Sequence, residues 1–374
     1  MKKKMIPCIT ALGFCLFLGL MLMLFLLLPK REFSQNEKRY LAEAPALRWD
    51  TLLSGRFAQQ AESWAADHLP GRDFFVGLNA EYDLLSGRQG TKDIYVGRSG
   101  RLYEAPVEKD DAHIAAQMQT LNAFAAAIGR PVDFALIPSA GYILREDMPP
   151  LSDPYDDDAI IAEACAQAGE TVRTLDLLSV FEAQEDRERL YYRTDHHWTA
   201  AGAQLASVSY LVEKGREAPG EAAYVVREIP GFFGSTYARA ALWYTPSESL
   251  ELWDSGRRFL VENREDEGTR ESLYYEEHLT ENDKYPVYLD GNHSLVRIRN
   301  LDGAGRGKLL VVRDSFASCM GCFLAEGYEE TVLVDLRYYR LPVSELVRGE
   351  SFDDVLVIYS VGNFVTDSSL SRLE

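Results

Sequence analysis

The sequence predicts an α/β protein: a parallel sheet flanked by helices, with a β-rich insertion and a transmembrane helix at its N-terminus. Three observations predict it. Twenty-five uncharged residues separate Lys4 from Lys30, and a helix needs only about 20 to cross a hydrocarbon core. Short apolar runs alternate with helical patterns from residue 108 onward, the rhythm of strand–helix–strand units. The same rhythm returns after residue 308.

Lys2, Lys3 and Lys4 favour a cytoplasmic N-terminus and an exported body, although Lys30 and Arg31 on the far flank weigh the other way. No small-x-small cleavage site follows the apolar run, so an uncleaved signal anchor is expected, with a cleaved signal peptide as the alternative. The expected location is the cell membrane, single-pass, with the body extracytoplasmic.

Residues 32 to about 90 are amphipathic, and Pro70 and Gly71 divide them into two helices. Asp67 and His68 stand at the end of the first, where cations are favoured, which accounts for a histidine without chemistry. "DIYVGRSGRLYE" (93–104) alternates around a Gly-Arg-Ser-Gly turn and reads as a hairpin. The expected organisation is therefore a basic tip and anchor at 1–31, a helical segment and hairpin at 32–107, and an α/β domain at 108–374.

In that domain "DDAHIAAQMQTLNAFAAAIG" is a helix stopped by Gly129, and "VDFALIP" (132–138) is a buried strand. A helix at 156–169 and a strand at 172–177 follow, which implies parallel pairing with right-handed crossovers. "KLLVVRDSF" (308–316), "ETVLVDL" (330–336) and "DDVLVIYSVGNF" (353–364) supply three more strands. The stretch from about 216 to 307, rich in Tyr, Glu and Arg, reads as an insertion of antiparallel strands and loops.

Charge and cysteine narrow the function. Five of the 39 Lys and Arg residues precede Glu32, so the body holds 34 of them against 58 Asp and Glu, a net −24. Such a surface repels polyphosphate, and no nucleic-acid partner is expected. Cys319 and Cys322 have C-x-x-C spacing. They are read as small buried cysteines on a helix rather than a redox or metal pair.

Reactive groups in open α/β sheets gather at the carboxyl ends of strands. Ser315 follows one such strand and precedes a helix, so it is either a nucleophile beside free N–H groups or an ordinary N-cap. In "RTDHHWTAAGA" (193–203), Asp195 and His197 have the spacing of a carboxylate orienting an imidazole base. A hydrogen-bonded structural histidine is the other reading. Thr199 is the expected N-cap of the next helix, with Gly215 its stop. Asn363, beside a glycine at a third strand end, is either an oxyanion donor or an ordinary turn residue. On an extended segment His196 points away from His197 and supports rather than reacts.

"TDHHWT" with a downstream "RDSFAS" resembles the DHHW proteins and the related alginate O-acetylation (AlgX/AlgJ-type) proteins of the SGNH-hydrolase-like class. "DHLPGRD", the hairpin at 93–104, "IPSAGYILREDMPP" (137–150), "LDGNHSL" (289–295) and "VGNF" extend the resemblance over most of the exported chain. It implies a flavodoxin-like, SGNH-hydrolase-like sheet whose motifs are circularly permuted: Asp-His, then Ser, then Asn. It also implies Asp195 as orienter, His197 as base and Ser315 as nucleophile, with His196, Trp198 and Asp314 supporting. Two departures stand out: Arg313 replaces the glycine usual before Asp-Ser, and His196 has no counterpart in the alginate proteins.

The expected function is a membrane-anchored serine O-acetyltransferase or esterase acting on a cell-surface polysaccharide, without metal or other cofactor. The resemblance adds a membrane-bound acyltransferase as partner. Trp243, Tyr274, Tyr275, Tyr285 and Tyr288 are candidate sugar platforms. Asn292 and His293 are candidates for holding a hydroxyl or shaping the cleft, or else a Gly-Asn turn. The competing readings are a non-catalytic scaffold or polysaccharide-binding subunit, and a metal phosphoesterase built on Asp-His-His.

Overall fold

The computed structural model of the chain describes residues 2–265 and 268–373. Met1 of the expected basic tip and two residues of the expected insertion lie outside them. The chain divides into two units, Met1–Arg88 with Ala241–Tyr244, and Gln89–Ala240 with Thr245–Glu374.

The first unit opens with helix α1 (Lys2–Leu27). Its stretch Ile9–Leu27 is long and apolar enough to cross a membrane, about 29 Å at 1.5 Å per residue. Helices α2 (Arg56–Asp67) and α3 (Arg72–Leu85) follow, separated at Pro70 and at Gly71, whose φ of 71° suits glycine. Asp67 accepts both terminal nitrogens of Arg39 and the Ala42 N–H. Arg39 beside it holds its carboxyl down to about 2. His68 is bonded through Nδ1 to the Trp64 carbonyl, so the Asp67–His68 pair is spent on structure.

The second unit holds three short antiparallel strands, β1 (Gly90–Thr91), β2 (Ile94–Val96) and β3 (Leu102–Glu104). Helix α4 (Asp111–Ile128) comes next, capped by the Asp110 side chain and stopped by Gly129 at φ 65°. Then come β4 (Val132–Ile137), α5 (Ala140–Ile143), α6 (Asp157–Ala166), β5 (Val172–Leu175) and α7 (Ala200–Glu213). The segment expected to be β-rich supplies β6 (Val225–Phe232), β7 (Glu248–Asp254), β8 (Phe259–Asn263) and β9 (Leu295–Asn300). The chain closes with β10 (Lys308–Arg313), α8 (Phe316–Leu324), β11 (Glu330–Asp335), β12 (Asp354–Ser360) and α9 (Val361–Thr366).

Seven strands form the main sheet in the order β8-β9-β11-β10-β12-β4-β5. The five from β11 to β5 are parallel, while β8 and β9 join antiparallel at one edge. β6 and β7 pair separately. The near-continuous apolar run of β10 follows from burial on both faces. Leu309 and Val311 enter the core that contains α7 and α8, and Leu310 and Val312 the core that contains α4.

The site's place follows from strand order. The chain leaves β10 for β11 on one side, while β12 lies on the other, so the carboxyl ends of β10 and β12 border a topological switch point. Arg313 is level with Ile358, and Ser360 with Ile137. The turns after β10, β12 and β4 therefore share one rim.

Candidate active site

Ser315 starts α8 in helical conformation (φ −65°, ψ −22°), and its hydroxyl makes no cap. Asp314 caps instead, its Oδ1 accepting the Phe316 N–H at 3.0 Å. The Ser315 hydroxyl is left to meet His197 Nε2 at 2.8 Å, and His197 Nδ1 meets Asp195 Oδ1 at 2.5 Å. The arrangement can pass a proton from hydroxyl to imidazole while the carboxylate holds the ring's tautomer.

Asp195 is 3% exposed. Its Oδ1 also accepts the His197 N–H at 2.8 Å, and its Oδ2 the Ser235 N–H at 2.6 Å. Backbone donors of this kind keep a buried carboxylate in place. Glu248 holds the preceding segment, accepting the N–H groups of Arg193 and Thr194 at 2.8 and 2.7 Å. Trp198 is fully buried, and its Nε1 donates to the Phe316 carbonyl at 3.0 Å. The tryptophan thus ties the histidine loop to the serine helix.

The segment 193–197 is a bend, closed at its base by the Tyr191–Trp198 bridge. An extended segment would have pointed His196 away; the bend keeps its ring 3.9 Å from that of His197. His196 Nδ1 shares a hydrogen bond of 2.5 Å with Ser235 Oγ. On its other side His197 stacks on Tyr285, with centroids 3.9 Å apart and planes 11° apart. Burial, with His196 alongside, holds the His197 imidazole below its usual value, against the pull of Asp195. The ring is therefore neutral near pH 7, as a base must be.

Asp195, His196 and His197 offer ligand atoms within 4.8 Å of one another. Both nitrogens of His197 are nevertheless committed, to Asp195 and Ser315, and both oxygens of Asp195 carry protein donors. That donor set is a poor fit to a cation.

Asn363 reaches the same rim, but one N–H of its amide goes to Asp314 Oδ2 at 2.8 Å. Ser360 donates to that oxygen through both N–H and Oγ, each at 2.8 Å. Asp314 is thus a clasp between two strand ends. Arg313 is wholly buried; it donates to Ser318 Oγ at 3.0 Å and to Asn292 Oδ1 at 3.2 Å, and lies 3.7 Å from Asp335. The arginine thus turns its side chain toward the serine helix, onto Ser318.

A cleft of about 320 Å³ opens beside the serine, lined by residues that include Glu104, Ser139, Tyr155, His196, Arg239 and Asn363. Neither Asn292 nor His293 lines it. Asn292 buttresses Arg313, and His293 sits between Glu265 and Asp290. Tyr275, Tyr285 and Tyr288 are buried in the core and Tyr274 packs against it. The indole of Trp243 donates to the Asp73 carbonyl on α3. These rings serve packing, not an exposed sugar platform. Cys319 and Cys322 are buried free thiols, both pushed up by burial.

Two profiles of known families match the chain. That described as DHHW protein matches residues 177–334, and that described as SGNH hydrolase-like domain, acetyltransferase AlgX, matches 96–224. The chain is similar to the DHHW and AlgX-type proteins over these stretches. A probable alginate O-acetylase AlgJ of Pseudomonas syringae pv. tomato is 25% identical over 179 residues, 45% of either chain. The AlgJ of Pseudomonas putida is 25% identical over 165 residues, 42% of this chain and 43% of its own. The chain thus spans less than half the length of these curated relatives. A DHHW family protein from Eubacterium siraeum shares the fold, with TM-score 0.65, 20% identity, and coverage of 75% of this chain and 95% of its own. Bacillus cereus PatB1 does so with TM-score 0.64, 19% identity, and coverage of 75% and 98%. The DHHW signature itself is the bend Asp195–Trp198.

Glu248 and Ser235 carry no local signal of their part in this site, and Tyr285, expected as a sugar platform, instead stacks on His197. Gly234 carried a signal only in retrospect. A Cβ there would lie 2.2 Å from Asp195 Cβ and 2.4 Å from the Thr194 carbonyl. Gly234→Ala should cost about 1–3 kcal/mol of stability and slow fluorophosphonate labelling of Ser315. Gly220→Ala, where nothing lies within 4 Å, should change neither.

Asp157 is buried, and its Oδ2 accepts the Ser139 N–H on the cleft wall at 2.6 Å. Burial pushes its carboxyl up to about 6. A carboxyl raised in the folded state contributes stability that is full below its unfolded pKa and is lost as pH rises through about 6. The loss totals about 3 kcal/mol at two pKa units. Asp157→Asn cannot ionise. Chemical denaturation should show its stability relative to the parent improving from pH 4 to pH 8 by an amount of that order, and a constant difference would exclude an ionising Asp157.

Proposed function

We propose that the chain is a serine-dependent O-acetyltransferase or esterase that acts on a cell-surface polysaccharide from a membrane-anchored body outside the cytoplasm. One observation carries this reading: the Ser315 hydroxyl, excused from capping, is hydrogen-bonded to a neutral imidazole that is itself held by a buried carboxylate. The DHHW and AlgX-type matches, and relatives named alginate O-acetylases, support the acyl-transfer chemistry and a polysaccharide acceptor. The apolar helix Ile9–Leu27 supports the anchor.

In this reading Ser315 Oγ attacks the carbonyl carbon of an acyl ester while His197 Nε2 takes its proton. His197 returns that proton to the departing oxygen, leaving an acyl-serine. An incoming hydroxyl gives its proton to His197, attacks the acyl carbon, and releases the Ser315 oxygen, which regains the proton. The developing oxyanion is met by the Ser315 N–H and by the second N–H of the Asn363 amide. Asp195 orients His197, and His196 and Trp198 hold the bend. A membrane-bound acyltransferase supplies the acyl group. The organisation is an anchor at 1–31, a helical segment and hairpin at 32–107, and a permuted SGNH-like domain at 108–374 with its insertion at about 216–307.

Fluorophosphonate should label the full-length chain at Ser315, with no change on adding EDTA. Ser315→Ala should abolish labelling, and His197→Ala should lower turnover of an activated acetyl ester by several orders of magnitude. An inert Ser315 would leave a scaffold, and loss of activity with EDTA a metal site. The acid limb of kcat/KM should fall below the usual histidine value of about 6.5. His196→Ala should retain most activity and move that limb upward, because the ring that helps hold His197 neutral is gone.

Asn363→Ala should lower kcat by about 10²-fold through loss of an oxyanion donor. If the amide served only Asp314, kcat would hold and stability alone would drop by about 1 kcal/mol.

A further inference from the structure

The cleft beside Ser315 offers little charge to an acceptor. Arg239 is the one cation among its described lining residues. Its guanidinium donates to Glu104 Oε1 at 2.8 Å and to the Lys92 carbonyl at 3.3 Å. Glu104 thus pairs with Arg239 at the cleft, each side chain nearly half exposed, and the remaining lining carboxylate, Asp195, is held by His197 and Ser235. The other polar groups on the wall are uncharged, among them Ser139, Tyr155, Asn363 and Thr366, set beside apolar Val107 and Phe316. After residue 31 the chain carries 34 basic and 58 acidic residues, a net charge of −24.

A polyuronate brings one carboxylate per sugar. Each carboxylate entering such a cleft loses water and finds no unengaged arginine, the side chain best suited to binding it. The acidic body repels the rest of the polymer. Hydroxyl and amide groups, by contrast, match the hydroxyls of an uncharged sugar, and the apolar wall matches its ring faces.

We propose that the acceptor is an uncharged glycan rather than a polyuronate, and that Glu104 is a specificity-determining residue that neutralises Arg239. This rests on the acyl-transfer reading above. The acceptor hydroxyl gives its proton to His197 as its oxygen takes the acyl group from Ser315, so no further reactant is required beyond an acyl ester.

The test uses the purified full-length chain in detergent with 4-nitrophenyl acetate as acyl donor. Cello-oligosaccharides, N-acetylated chitin oligosaccharides and oligomannuronate serve as acceptors, and mass spectrometry scores the acetylated sugars. An uncharged oligosaccharide should be acetylated at least about tenfold faster than oligomannuronate at low salt, and its rate should be nearly unchanged at about 0.5 M salt. Glu104→Gln frees Arg239 and should shift the ratio several-fold toward oligomannuronate. Oligomannuronate acetylated as fast as the uncharged sugars, or a ratio unmoved by Glu104→Gln, overturns the proposal. A nitrophenolate burst at Ser315 with no sugar modified overturns it too while leaving the acyl-serine standing. Absence of the burst removes both the acyl-serine and the acceptor built on it.

Discussion

Everything at this site depends on one buried carboxylate. Asp195 is sealed from water, and a charge there is tolerable only because three hydrogen bonds converge on it, two from His197 and one from the Ser235 N–H. The Ser235 bond requires the Gly234 backbone to press against Asp195 itself, closer than any side chain permits. The histidine ring is then gripped between Asp195 and the face of Tyr285. What looks like a reactive pair in the sequence is, physically, a pair of peptide segments forced into contact around a charge.

Most of the fold was legible because it follows from periodicity and punctuation. Gly129 and Thr199 end and start helices by mechanisms visible in the residue alone, whereas the cap at Asp110 emerges only in the structure. The alternation of apolar runs placed the parallel strands, since burial on both faces leaves β10 and β11 with apolar centres, at 309–312 and 332–334. Strand order was another matter. That β9 joins β11 antiparallel, so that residues from the irregular middle of the chain extend the main sheet, depends on contacts no local pattern encodes.

The site was legible in its chemistry and not in its surroundings. Asp195, His197 and Ser315 declare themselves by residue type and by their place at strand and helix ends. The geometry of His196 does not, because its direction depends on a bend that Glu248 and the Tyr191–Trp198 bridge impose from elsewhere. The tyrosines of the middle segment invite a role in sugar binding, yet a ring's destination is decided by tertiary packing, and here Tyr285 and Tyr288 complete the core. Asn292, a candidate ligand in "LDGNHSL", is claimed by Arg313, which is buried at the end of a strand paired on both sides.

The clasp at Asp314 bears on when the site comes into being. Its Oδ1 shapes the serine turn, but its Oδ2 gains its donors only from Ser360 and Asn363, at the far end of the last strand. His197 and Ser315 are themselves separated by 118 residues. Bringing such distant segments together costs loop-closure entropy that only the finished fold offsets. A chain that loses its final strand to proteolysis keeps Asp195, His197 and Ser315 but loses the donors that hold Asp314, and with them the support of the serine turn. The contact between Ser315 and His197 is therefore a property of the completed molecule and of neither segment alone.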